Sequence, residues 1–127
     1  MKILNLTQHK ATTEQCDLGV VDLEGEVLHQ LVECLTFDSC PDDVDISARV
    51  VGLVTIATCY QDLIGADAAM IGGAPWLMGP LAEALLHEGV QPLFAFSVRE
   101  SEEVFQPDGS VRKVAVFRHK GWVAPRL

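Results

Sequence analysis

Positive charge is scarce along most of this chain. Residues 1–98 carry three Lys or Arg against fourteen Asp or Glu, a balance of −11, inside a 127-residue total of −9. Affinity for long nucleic acid grows with the number of phosphates neutralised, so duplex DNA or RNA is excluded as the main partner. Long apolar runs are also missing. None approaches the ~18 residues of a membrane-spanning helix, and "MKILNL" meets the polar "TQHK" too early for a secretory leader. There is no C-x-x-C pair, and the four cysteines (16, 34, 40 and 59) have no zinc-like spacing to a histidine. They read as free thiols of a reducing cytoplasm, with Cys59 in the core, and no metal or cofactor is expected. G-x-S-x-G, the Walker loop, G-x-G-x-x-G and usefully spaced carboxylate pairs are absent too, which removes the common hydrolase and nucleotide signatures.

What is present is a pattern of short apolar segments separated by glycine and proline. One α/β domain over residues 1–127 is expected. "KILNLT" (2–7) reads as a strand. "HKATTEQ" starts a helix, with Thr12 or Thr13 as cap and Glu14 or Gln15 answering it. Residues 20–23 form a short strand, and 26–35 have helical apolar spacing. The apolar run 45–64 reads as a buried helix. "DAAMIGG" is a buried strand ending in glycine. Residues 74–89 form a helix with Pro75 in its first turn and a kink expected at Gly79-Pro80. Residues 91–123 make a β-hairpin turning at Asp108-Gly109. The order β-α-β-α-α-β-α-β-β implies a small Rossmann-like domain, a mostly parallel sheet flanked by helices with an antiparallel C-terminal hairpin.

Ligands of such sheets bind beyond the carboxyl ends of the strands. Three segments should meet there. "TQHK" offers Thr7, Gln8 and His9. "GGAPW" offers Gly72, Gly73 and Ala74 before a helix start, where backbone N–H groups attract anions. "SVRE" offers Ser97 and Arg99. A two-residue hairpin turn would set Arg99 opposite Arg118 and Val98 opposite His119. Like charges face to face are unfavourable, so a bound anion between them is one reading, and an edge strand protected by charge is the other. The glycines fit a phosphate cradle or simply a tight turn. His9 fits a general acid or base worth ~10²- to 10⁴-fold, or a hydrogen-bonding loop residue. Six Lys or Arg against four Asp or Glu from Arg99 onward leave that end at +2. The two chain ends, if they meet, would form a small cationic site bearing histidine. Trp76 and Trp122 fit either base stacking or packing.

These segments resemble a small type III CRISPR-associated family, Rossmann-like relatives of the CARF ring nucleases. "HKATTEQ" is similar to the H-x-L-T-P-E-Q after that family's first strand, with Ala11 and Thr13 in place of Leu and Pro. "RESEEVFQPDGSVRKVAVFRHKGW" resembles its closing block, and "IGGAPWLM" departs from it. The chain looks like a diverged member, cellular or virus-borne. The resemblance implies a homodimer that binds cyclic oligoadenylate, most plausibly cyclic tetra-adenylate, and opens the ring without metal. It implies roles for Glu14 and Gln15 of the E-Q pair, for Arg99, and for Lys113, Arg118 and His119 of the closing block. His9, His119, Arg118 and Lys113 are then the catalytic candidates. A sponge that holds the ring intact, and an adaptor with no nucleotide ligand, are the alternatives.

Overall fold

The computed structural model describes residues 1–126. The elements follow the expected order: β1 (Ile3–Leu6), α1 (Thr13–Asp17), β2 (Val20–Val21), α2 (Gly25–Leu35), α3 (Asp43–Ile64), β3 (Ala68–Ile71), α4 (Pro75–His87), β4 (Gln91–Phe105) and β5 (Val111–Val123). They build one sheet in the order β2-β1-β3-β4-β5. The first four strands are parallel, and β5 returns antiparallel to β4.

Period-two alternation explains how the sheet is covered. Leu4, Leu6, Ala69, Ile71 and Phe94 turn to one face, against α2, α3 and α4. Ile3, Ala68, Met70 and Leu93 turn to the other, against Ala11, Val20 and Trp122. Short strands buried on both faces are almost wholly apolar: "AAMI" is entirely so, and "ILNL" has one polar exception, Asn5. Trp122 is therefore a packing residue of the smaller core. The larger core rests on Leu53, Leu77, Leu81 and Leu85, all fully buried. Truncating any one to Ala costs about 2–5 kcal/mol.

Three expectations change. The helix α3 starts at Asp43 under the Asp42 cap, and it is not buried all round. Leu53, Ile56 and Ala57 face the core, whereas Val44, Val51 and Leu63 are exposed. Its β-branched, apolar composition hides this one-sidedness, because exposed positions also carry valine and leucine. Cys59 lies on the outer side and is exposed, so it is not a core residue. The third change is hairpin register. Gln106 N–H bonds Ser110 O at 2.8 Å and Gly109 N–H bonds Gln106 O at 2.9 Å. The loop is thus the three residues Pro107, Asp108 and Gly109, with Gly109 at φ 85°. Such a loop is a type I turn closed by a left-handed glycine, and it shifts by one residue every pair from Phe105–Val111 to Ser97–His119. Arg118 consequently pairs with Val98, and Arg99 with Phe117. Successive residues of a strand point to opposite faces, so the expected Arg99–Arg118 juxtaposition is not formed. The same shift sets His119 opposite Ser97, not Val98, and an irregularity between Phe96 and Ser97 then sets Gly121 opposite Phe96.

The helix α4 continues through Pro80. Among the described residues no helix is long and apolar enough to cross a membrane.

Candidate functional site

The chain runs from β1 through α1 to β2 on one side, then crosses to β3 on the other. The strand order therefore reverses between β1 and β3, where a crevice opens at the carboxyl ends of the strands. A cleft of about 480 Å³ occupies that point. Its walls are Thr7, Gln8 and His9 after β1, Gly72, Gly73 and Ala74 after β3, and Phe94 and Ala95 of β4, with Gln15 from α1. Thr7, Gln8 and His9 also wall a neighbouring cleft of about 290 Å³ that reaches Asp22 and Leu28. Two of the three expected segments meet here. The third does so only through Phe94 and Ala95, since the exposed Ser97 and Arg99 lie farther along β4.

His9 is exposed, and its backbone is held from below. The buried Asn5 donates through Nδ2 to His9 O at 2.8 Å and to Asp22 Oδ1 at 2.8 Å. Asn5 Oδ1 accepts from Thr7 N–H at 2.9 Å and from Thr7 Oγ1 at 2.7 Å. Asp22 Oδ1 also accepts from Ala11 N–H at 3.1 Å. One asparagine thus fixes the whole turn from Thr7 to Ala11. The sequence reading missed Asn5 and Asp22. The available signal was a polar residue inside "ILNL", whose neighbours are all buried. A polar group at such a position must find partners.

The glycine turn is built for close approach. Gly73 has φ +155°, and a Cβ there would stand 3.4 Å from Met78 Cε and 3.7 Å from Leu35 Cδ2. Beyond it Pro75 starts α4, and Trp76 is half exposed, edge-on to Phe37 at 5.4 Å. Arg49 stacks over the same Phe37 ring at 4.0 Å and donates to the carbonyls of Glu33 and Cys34 at the end of α2. Burial pushes the nearby Cys34 thiol up, so it stays protonated at neutral pH and is no nucleophile.

The two chain ends do meet. The capping box forms as expected: Thr12 Oγ1 accepts from Gln15 N–H at 3.2 Å, and Gln15 Oε1 accepts from Thr12 N–H at 3.0 Å. With its oxygen engaged, Gln15 presents its amide nitrogen to His119 Nδ1 at 3.4 Å. His119 then accepts at Nδ1, which leaves the proton of the neutral ring on Nε2. That Nε2 is buried and has no hydrogen-bond partner. The ring lies 4.4 Å from Trp122.

The meeting point is not cationic. Arg118 reaches Glu14 at 3.4 Å and Glu100 at 3.9 Å, and also pairs with Glu102. Lys120 pairs with Glu100 at 3.0 Å. Two cations face three carboxylates, so the expected positive patch is neutralised by the chain's own acids. The hairpin carries Glu100 and Glu102 on the strand face of Arg118, and the register expected from a two-residue turn concealed this. Lys113 is opposite Glu103 on the hairpin, roughly 20 Å along the strand from His119. Of the catalytic candidates, only His9 lines the cleft, and His119 touches it through Gln15. Among the described residues no three His, Cys, Asp or Glu side chains gather closely enough to share a metal ion.

Fold and site together define an α/β protein with an open cleft at the strand reversal and a long C-terminal hairpin. A family model matches residues 1–123, and the chain belongs to that family, described as the uncharacterized protein MJ1673 family. No curated protein and no solved structure matches the chain.

Proposed function

We propose that this protein is a ring nuclease: a small Rossmann-like, CARF-like domain that binds cyclic oligoadenylate, most plausibly cyclic tetra-adenylate, and cleaves it without metal. The reading would make it an off-switch for type III CRISPR signalling. The observation that carries it is the cleft at the β1/β3 reversal, walled by His9 and by the Gly72-Gly73 turn. Such crevices are where doubly wound sheets hold nucleotides. A nucleotide suits a cleft in which apolar side chains such as Phe94 and Met70 stand beside the Gly72-Gly73 turn and the uncharged polar Thr7, Gln8 and Gln15. The resemblance of "HKATTEQ" and the closing block supplies the ligand class.

The chemistry needs little from the protein. The 2′-hydroxyl of RNA is the nucleophile. Its oxygen attacks the adjacent phosphorus, the P–O5′ bond breaks, and a 2′,3′-cyclic phosphate and a free 5′-hydroxyl result. The 2′ proton leaves to a base and the 5′ oxygen gains one, so the step is balanced without added water. Placing the reacting atoms in line is worth about 7–11 kcal/mol. In this reading His9, exposed on the cleft wall, transfers the proton. Gly72, Gly73 and Ala74 hold phosphate through their backbone. Thr7 and Gln8 orient the ribose. Gln15 and His119 close the side next to β5. Arg118 joins only by exchanging carboxylate for phosphate. Its ion pairs are partly exposed, so each is worth at most about 1 kcal/mol and the exchange is cheap. Lys113 and Arg99 lie too far out on the hairpin to act in their own subunit's cleft, so a role for them requires a homodimer.

One observation favours sequestration without cleavage as the second reading. Arg118 is already neutralised, and His119 Nε2 is buried, which leaves His9 alone as an accessible proton carrier. The two readings separate with His9→Ala. A nuclease loses turnover by about 10²-fold or more while binding survives. A sponge shows the same melting-temperature rise with nucleotide before and after the change. A ligand at about 100 times its Kd stabilises by ~2.7 kcal/mol. No rise with any cyclic oligoadenylate would remove both readings and leave the adaptor.

A further inference from the structure

A second trough, larger than the cleft at the strand reversal and sharing no residue with it, runs between α3 and α4. Its volume is about 680 Å³. The cause is local. Helix α3 carries two seams at alternating spacings of four and three residues. Ile46, Val50, Leu53, Ala57, Tyr60 and Ile64 form the inner seam, packed in the larger core. Val44, Ala48, Val51, Thr55 and Thr58 form the outer seam, two residues or roughly 200° round the helix and turned to solvent. Val44 is 78% exposed and Val51 65%. The threonines do not make this seam polar. Thr55 Oγ1 donates to Val51 O at 2.7 Å and Thr58 Oγ1 to Thr55 O at 3.2 Å, so each hydroxyl proton is held within the helix. Across the trough stand Pro80 and Ala84 of α4. Valine, threonine, proline and alanine are all short, so the two helices leave the space between them open.

We propose that this trough is the docking groove for a basic amphipathic helix of another protein. Apolar grooves take a partner helix whose anchors fall at i, i+3 or i+4, and i+7. The outer seam from Val44 to Thr58 is about 21 Å long, the reach of four turns of such a helix. Charge chooses the occupant. Glu83 and Glu88 line the trough beside His87, and among the described residues neither carboxylate forms an ion pair. Residues 41–98 hold seven Asp or Glu against one Lys or Arg, which is Arg49. That guanidinium is engaged elsewhere, bonded to Asp45 at 2.9 Å and stacked on Phe37 at 4.0 Å. Carboxylates without a cation, set beside apolar anchor positions, are complementary to Lys or Arg flanking an apolar face. A second copy of this chain offers no such helix. Among the described residues its four helices hold a single Lys or Arg, again Arg49. The partner is therefore a different protein.

The test uses the full chain and fluorescent peptides of about 18 residues, one turn longer than the seam. The first peptide has leucine at the helical spacing and lysine on both flanks. The second has glutamate in place of lysine. The third has the composition of the first with the spacing scrambled. By fluorescence anisotropy the leucine–lysine helix should bind with a Kd of about 10 μM or less, and the other two at least ~10-fold more weakly. Val51→Lys, at an exposed position that the core does not use, should weaken that binding by about 10-fold or more. Glu83→Lys with Glu88→Lys should invert the preference, so that the glutamate peptide binds better. Equal binding of the scrambled peptide overturns the proposal, as does binding that neither variant changes. So does a leucine–lysine peptide left unbound at about 100 μM protein. Sedimentation equilibrium without peptide should give Val51→Lys the same mass as the wild type. A lower mass for the variant would assign the trough to a second copy and overturn the proposal too. No nucleotide enters the test, so its outcome is independent of the nuclease reading.

Discussion

Gln15 and His119, 104 residues apart in sequence, stand 3.4 Å from each other across the meeting of the first helix and the last strand. The capping box fixes the amide of Gln15, and the amide fixes the tautomer of His119. Nitrogen-resolved NMR of the imidazole should therefore show the neutral ring protonated on Nε2. A ring protonated on Nδ1 would mean that the amide is not where the capping box holds it. Replacing Gln15 by Leu should cost about 0.5–2 kcal/mol through loss of the box, and should release the ring to exchange between tautomers.

Asn5 supports the cleft from beneath. Asn5→Leu keeps the branching at Cγ and removes every bond that the side chain makes to Thr7, His9 and Asp22. The buried groups left behind should lower stability by about 2–4 kcal/mol, read from urea unfolding. The loop Thr7–Ala11 should gain amide exchange while the α3–α4 core keeps its protection. A loss below about 1 kcal/mol would show that Asp22 and the backbone hold the turn unaided.

The turn at Gly73 should tolerate no side chain. At φ +155° an alanine is strained, and its Cβ would press on Met78. The expected cost is about 1–3 kcal/mol in thermal or urea unfolding, with weaker nucleotide binding than the stability loss alone explains. Gly79→Ala is the control, because nothing lies within 4 Å of a Cβ there. It should be neutral or stabilising.

Much of this architecture was legible in the sequence, and the failures have physical causes. The order of strands and helices follows from local periodicity, and the Thr12 cap from its side-chain chemistry. The β1/β3 crevice follows from alternating strands and helices. Hairpin register does not, because "PDG" supports a two- or a three-residue loop and one residue moves every cross-strand pair out to the irregularity at Phe96 and Ser97. That single step separated Arg99 from Arg118 and placed Arg118 among Glu100, Glu102 and Glu14. Such an ion cluster unites residues from both ends of the chain, so no local pattern announces it. The exposed side of α3 was hidden for the opposite reason: its valines and leucines look alike on both faces.

The tip of the β4–β5 hairpin should respond to acid. Asp108 accepts from Ser110 Oγ at 2.6 Å and from Ser110 N–H at 2.9 Å, and the side-chain bond first, then the backbone bond, hold its carboxyl below the ordinary 3.8. A lowered carboxylate stabilises the turn above the ordinary value and loses that contribution as pH falls through the folded one. The Ser110 amide shift should titrate with a midpoint below 3.8. A midpoint at or above it would contradict the turn geometry.

The central claim concerns the nucleotide. Pure protein incubated with cyclic tetra-adenylate in excess EDTA, followed by mass analysis, tests it most directly. Linear fragments ending in 2′,3′-cyclic phosphate are the expected result, lost with His9→Ala. Intact ring recovered in full from the wild-type protein would contradict the ring-nuclease account.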